Sequence, residues 1–153
     1  MIRLLTGFFL LAGFAFAADK EAERQVIDAV QKTFDVLAAK DEAGLRKLFL
    51  PDARLIAMRN GKVSSTPIDQ FASRIATMQE PILERMWTPK VLVEGKIGVL
   101  WAEYDFHRSG KFSHCGIDVV NLLKTEEGWM ISSIQYTVET EGCKPSPLGP
   151  PKQ

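Results

Sequence analysis

From Asp19 to Ala39, apolar side chains recur at helical spacing, at Val26, Val30, Phe34 and Leu37, with charged residues between them. That rhythm predicts an amphipathic first helix. Asp41 stands in capping position before a second, short helix carrying Leu45, Leu48 and Phe49, which Pro51 ends. Ala53 to Arg59 then reads as a strand, closed by the turn dipeptide Asn60-Gly61. Thr66-Pro67-Ile68-Asp69 reads as a helix start: a cap, a proline at the first position and an acid close behind. Ile68, Phe71, Ile75 and Met78 line one face of that third helix. Beyond Pro81 the period changes. Ile82 to Trp87 and Val91 to Glu94 read as extended, with Pro89 as a bulge or edge feature. Three long strands follow, Ile97 to His107, Phe112 to Leu123 and Trp129 to Glu139, separated by Ser109-Gly110 and Glu126-Glu127-Gly128. Helices first and a strand meander afterwards make an α+β domain. A curved antiparallel sheet folded around the helices would leave a pocket against its concave face.

The ends of the chain read differently. Arg3 supplies a positive start, Leu4 to Phe14 an apolar stretch, and Ala15-Phe16-Ala17 a small-x-small cleavage site, so 1–17 is expected to be a signal peptide cut before Ala18. The apolar run is shorter than the roughly 20 residues that span a bilayer, so no membrane span is expected after cleavage. The domain is expected over 18–143, followed by an irregular tail rich in proline and glycine over 144–153. The expected location is periplasmic or secreted. Outside the cytoplasm Cys115 and Cys143, the only two cysteines, are free to form a disulfide; two free thiols are the alternative.

Composition narrows the function. With 153 residues, 46% of them hydrophobic, the chain can bury one real core. Lys plus Arg number 19, as do Asp plus Glu, and no basic run occurs, which argues against a nucleic-acid partner. No Gly-rich phosphate loop or haem-attachment motif is present, so no cofactor is expected.

The chemistry concentrates in one strand, FSHCGIDVV. Side chains alternate, so His114, Gly116 and Asp118 share one face while Cys115 points to the other. A metal site using His, Cys and Asp together is therefore poor geometry. Tight turns at both ends of the strand give an expected register in which Asp105 faces His114, and Trp101 and Gln135 flank Asp118. Trp101, Glu103, Asp105, His114, Asp118 and Gln135 would then gather on one face, with Tyr104 and Tyr136 on the opposite one. A β-bulge would swap some of these assignments. His114 beside Asp118 or Asp105 would make an acid–base pair, and Gly116 between them would leave room for a ligand. The competing reading is a solvated face tied by cross-strand hydrogen bonds. Arg85 and Trp87 are further candidates for the pocket wall, Arg85 for an anionic ligand; a strand-edge charge and a core tryptophan are the alternative. Arg54, Arg59 and Arg74 read most simply as surface charges.

Tyr104-Asp105-Phe106, the Gly110-Lys111 turn, His114-Cys115-Gly116 with Asp118, and Gly128-Trp129 with Ile131 resemble the NTF2-like superfamily. Within it, the sequence is similar to the SnoaL-like or putative lumazine-binding group of small exported proteins. The resemblance covers nearly the whole chain after the leader. It implies a cone-shaped α+β fold with three N-terminal helices and a deep pocket, often dimeric; an exposed apolar sheet face invites a partner, so a homodimer packed sheet to sheet is expected. The first functional reading is a domain that binds a small, partly apolar molecule. The second is an isomerase, lyase or cyclase using His114 and Asp118, and the third a protein-interaction domain.

Overall fold

The computed structural model describes residues 11–151, with side chains from Lys20 onward. Residues 1–10 of the expected leader lie outside the described residues. From Leu11 the backbone is helical and runs without a break into the first helix. α1 spans Leu11–Ala39 and α2 Glu42–Leu48; β1 (Phe49–Arg59) and β2 (Lys62–Pro67) form a hairpin, and α3 spans Ile68–Ala76. Four strands complete the chain: β3 (Ile82–Glu94), β4 (Ile97–Arg108), β5 (Lys111–Thr125) and β6 (Gly128–Val138).

Local chemistry explains the boundaries. α1 ends where Lys40 turns into the left-handed region at φ 56°, with its N–H on Leu37 O and that of Asp41 on Val36 O. That pair of bonds satisfies two of the orphaned carbonyls of the last turn. Asp41 then caps α2, its carboxylate accepting from Gly44 N at 2.9 Å. α3 begins one residue later than the Thr66 cap implies: Pro67 occupies the capping position and Thr66 still pairs with Leu55 in β2.

The six strands form one sheet in the order β2-β1-β6-β5-β4-β3. All neighbours are antiparallel except β1 and β6, which run parallel because the chain returns to β1's edge last. The expectation of a fully antiparallel sheet is corrected there. The second strand of the Asn60-Gly61 hairpin is also new: KVSSTP has only one apolar side chain, Val63, and so no readable alternation. The helices cover one face of the sheet. Val26, Val30, Phe34 and Leu37 of α1, Leu45 of α2 and Ile68, Ala72 and Ile75 of α3 pack on Leu55, Leu100, Tyr104, Val120, Leu122, Ile131 and Ile134. Burying such side chains contributes about 1.5–3 kcal/mol each. Cys115 and Cys143 form a disulfide, tying the chain after β6 to the outer face of β5.

Two β-bulges decide what lies on each face. Arg108 faces Lys111 across the Ser109-Gly110 turn, as expected, but Ser113 is then extra, so Phe106 rather than Asp105 faces His114. Ser132 is extra in the next hairpin, so Tyr136 rather than Gln135 faces Asp118. Each one-residue slip exchanges the faces of everything beyond it. Tyr104, Phe106, Ile134 and Tyr136 therefore join His114 and Asp118 on the helix-covered face. Trp101, Glu103, Asp105 and Gln135 lie on the outer face with Cys115, Ile117 and Val119.

Candidate functional site

A cavity of about 400 Å3 opens between the inner face of the sheet and the helices. Its walls are apolar: Phe34 and Leu37 from α1, Phe71, Ile75 and Met78 on and just beyond α3, and Leu55, Phe106, Ile134 and Val138 from the sheet. Among these sit polar groups from every strand and from α1 and α3, of which Glu84, Tyr104, His114, Asp118 and Tyr136 come from β3 to β6.

Glu84 of β3, which faces Phe106, and Asp118 of β5, which faces Ala102, both line the cavity from either side of β4. Their carboxyls meet in hydrogen-bonding contact. Asp118 is 2% exposed, and its Oδ2 has no N–H or hydroxyl partner among the described residues. Glu84 is half-buried as a whole residue, but its carboxyl end is enclosed. Two carboxylates in one apolar enclosure cannot both ionise cheaply. Burial, the Asp118 charge and the hydrogen bond hold Glu84 well above its ordinary range. Burial pushes Asp118 up to about 7. The pair therefore retains a proton at neutral pH and titrates as a unit.

Tyr104 lies beside this pair, 1% exposed, and donates its hydroxyl proton to Thr137 O at 2.7 Å. Burial first, then the Glu84 and Asp118 charges, raise its pKa. Its ring fills the space above Gly116, its cross-strand partner. A Cβ at Gly116 would stand 2.1 Å from Thr137 O and 2.7 Å from Tyr104 Cε1. Gly116 thus makes room for Tyr104 and the β6 backbone, not for a ligand. Tyr136 also lines the cavity, and burial raises its pKa first; its hydroxyl has no hydrogen-bond partner among the described residues.

His114 stacks on Phe106 at 4.8 Å between ring centroids and stands edge-on to Tyr104 at 5.9 Å. Burial, then the positive charges of Arg59 and Arg108, push its pKa down to about 4, so the imidazole is neutral at pH 7. Ser113 Oγ lies 3.1 Å from its Nδ1. No hydrogen bond joins His114 to Asp118 among the described residues.

The other candidates lie away from the cavity. Arg85 Nε bonds Asp105 Oδ1 at 2.9 Å on the outer face, and His107 Nε2 stands 3.3 Å from Asp105 Oδ2. Burial pushes Asp105 up, but the bonds from Arg85 and His107 outweigh it, so the carboxyl stays below its ordinary value. Trp87 Nε1 donates to Glu103 Oε2 at 3.0 Å, Lys90 covers the ring of Trp101 at 4.8 Å, and Gln135 is exposed. The two bulges thus correct the placement of Trp101, Glu103, Asp105 and Gln135 beside His114 and Asp118; Arg85 and Trp87, offered separately for the pocket wall, pair with Asp105 and Glu103 on the outer face. Glu84 was missing from that set. Its signal is its phase: it shares a strand face with Ile82, which is in the core, and Met86, which packs against it. Arg59 and Arg74, taken for plain surface charges, line the cavity together with Arg108.

No group of three or more His, Cys, Asp or Glu among the described residues is placed to hold a metal ion. No described helix is long and apolar enough to cross a membrane.

A bent sheet around three helices with an enclosed pocket is an NTF2-like arrangement, and solved structures agree. A cystatin-like NTF2-like protein from Novosphingobium aromaticivorans superposes with a TM-score of 0.71 at 15% identity, over 90% of this chain and 94% of that one. A protein described as a putative dehydratase of the NTF2-like family, from Streptomyces avermitilis, gives 0.66 at 15% identity, over 78% and 96%. An NTF-2 like protein of unknown function from Silicibacter pomeroyi gives 0.62 at 18%, over 78% and 98%. These likenesses establish the fold. Residues 21–137 match the family described as Putative lumazine-binding, and the chain belongs to that family. No curated protein matches its sequence.

Proposed function

We propose that the cavity binds a small, partly apolar molecule whose polar end reaches the Glu84–Asp118 pair. The observation that carries this reading is a proton-sharing carboxyl pair in a cavity of about 400 Å3 that also presents apolar walls from Phe34, Leu37, Ile75, Phe106 and Ile134. Ligand sites combine apolar walls with a few convergent polar groups in this way. A pair holding one proton can donate to a carbonyl or ring nitrogen and accept from an N–H. Lumazine, named in the family's description, carries all three groups on a flat ring and is the first compound to test. The protein acts outside the cytoplasm in this reading, after loss of 1–17, consistent with the disulfide. It is a homodimer packed through the apolar outer patch of Ile56, Met58, Val63, Ile117 and Val119.

Native mass spectrometry on protein purified from a bacterial periplasm tests the binding. A small-molecule adduct lost on unfolding, and absent from an Ala57→Phe variant that fills the cavity, is the expected result. An adduct that persists in the filled variant would place binding elsewhere.

One observation favours a second reading, an isomerase or lyase acting on an enolisable carbonyl compound. A carboxyl pair with a pKa near working pH is suited to proton transfer. Asp118 would take the proton, Glu84 would tune it, and neutral His114 or Tyr136 would donate to the developing oxyanion. Turnover of a carbonyl substrate that Asp118→Asn abolishes, with binding intact, would establish it; turnover unchanged in Asp118→Asn would remove it.

A further inference from the structure

The cavity has a polarity along its length. Asp118, Tyr104 and the Glu84 carboxyl are enclosed, while Arg59, Arg74 and Arg108 line the same cavity and are exposed. They come from three separate places: Arg59 from the end of β1, Arg74 from α3 and Arg108 from the end of β4. The fold therefore brings three guanidiniums to the mouth of one pocket. Arg108 is bound to Glu80 at 3.2 Å, and Arg74 lies over the ring of Phe71, itself a wall residue, at 5.5 Å. Arg59 and Arg74 have no carboxylate partner among the described residues. Among the described residues the only acids lining the cavity are Glu84 and Asp118, and that pair holds a proton. The arginines are felt inside: Arg59 and Arg108 disfavour a charged His114, and Arg59 and Arg74 act on Tyr136.

Guanidiniums at an exposed mouth, apolar walls behind them and a proton-bearing floor describe a ligand with matching ends. We infer that the pocket takes an organic carboxylate: its anionic group at Arg59 and Arg74, its apolar body between Phe34, Ile75 and Phe106, and a hydrogen-bonding group at Glu84 and Asp118. This rests on the binding reading above and narrows it to one charge class. Arginine forks match a carboxylate in two parallel bonds, and a partly enclosed mouth screens them less than open water does. The floor gives the opposite preference. A carboxylate pushed to Glu84 and Asp118 would bring a third acid into their enclosure, so the orientation of the ligand is set by charge at both ends.

The test uses matched probes: naphthoate against naphthamide, and lumazine carboxylate against lumazine. Each is titrated by calorimetry into the protein lacking 1–17 and into its Arg59→Gln/Arg74→Gln variant, whose exposed substitutions leave the core untouched. The expected result is about tenfold tighter binding of each carboxylate than of its neutral partner, reduced to about twofold in the variant and weakened by added salt. Equal or tighter binding of the neutral probes, or a carboxylate preference that survives in the variant, overturns the inference and leaves the binding reading standing. If none of the four probes binds, and none shifts the amide signals of cavity residues, both fall together.

Discussion

Asp118 concentrates the physics of the site in one side chain. It is buried, its Oδ2 lacks a donor among the described residues, and it shares a proton with Glu84. The folded protein thus holds a proton that the unfolded chain has released above its ordinary carboxylate pKa. Stability falls as pH rises through that window to about 7, and the cost persists above it. Asp118→Asn should therefore be more stable than the parent at pH 8 by on the order of 2 kcal/mol, the gain vanishing near pH 4. Urea unfolding at both pH values checks this; a variant less stable at pH 8 would show that the charge is better satisfied than its burial implies. His114 works in the other sense. Its lowered pKa adds stability that is present above its ordinary value and lost as pH falls toward about 4. Gly116→Ala makes a purely steric prediction. Its Cβ would meet Thr137 O at 2.1 Å, so the variant should lose about 2–3 kcal/mol or more, measured as a lowered urea midpoint. At this scale the sequence exposes His114 and Asp118, because both interrupt an apolar strand. It hides Glu84, because a charged residue between Leu83 and Arg85 reads as solvated until its partner across the sheet is known.

At the scale of elements, the alternating and helical periods were legible almost throughout. The described helices, the hairpin turns and the four long strands follow from apolar spacing and turn residues, although α3 comes after the β1–β2 hairpin rather than ahead of the sheet, and the Asp41 cap forms as its position implies. What the periods do not carry is register. Ser113 and Ser132 are small polar residues that fit either a regular strand or a bulge, and nothing in their neighbours marks the extra residue. Two such residues moved Trp101, Glu103, Asp105 and Gln135 to the outer face and brought Tyr104 and Tyr136 inside. The parallel pairing of β1 with β6 is equally silent in the sequence, because it depends on where the last strand returns. The Cys115–Cys143 disulfide acts at this scale as well. It closes a loop of about 29 residues, and a Cys115→Ala/Cys143→Ala variant should lose roughly 3–4 kcal/mol. Because both sulfurs lie on the outer side of β5, ligand affinity should not change. A matching loss of affinity in calorimetry would mean that the tether shapes the cavity.

At the scale of the molecule, the sheet and helices build a core and, beside it, a cavity. The apolar end of the inner face, around Leu100, Val120, Leu122 and Ile131, is packed by α1 and α2. The end nearest the three arginines is a cavity whose floor keeps a proton. A molecule that binds this cavity in the folded protein and not the unfolded chain stabilises the fold by mass action. The most direct measurement is a fragment screen read from the amide NMR spectrum of the folded protein. Small aromatic carboxylates and amides should shift the signals of Tyr104, His114, Asp118 and Tyr136 together. Shifts confined to Ile117, Val119 and Gln135 on the outer face, with the cavity residues unmoved by every fragment, would contradict the account.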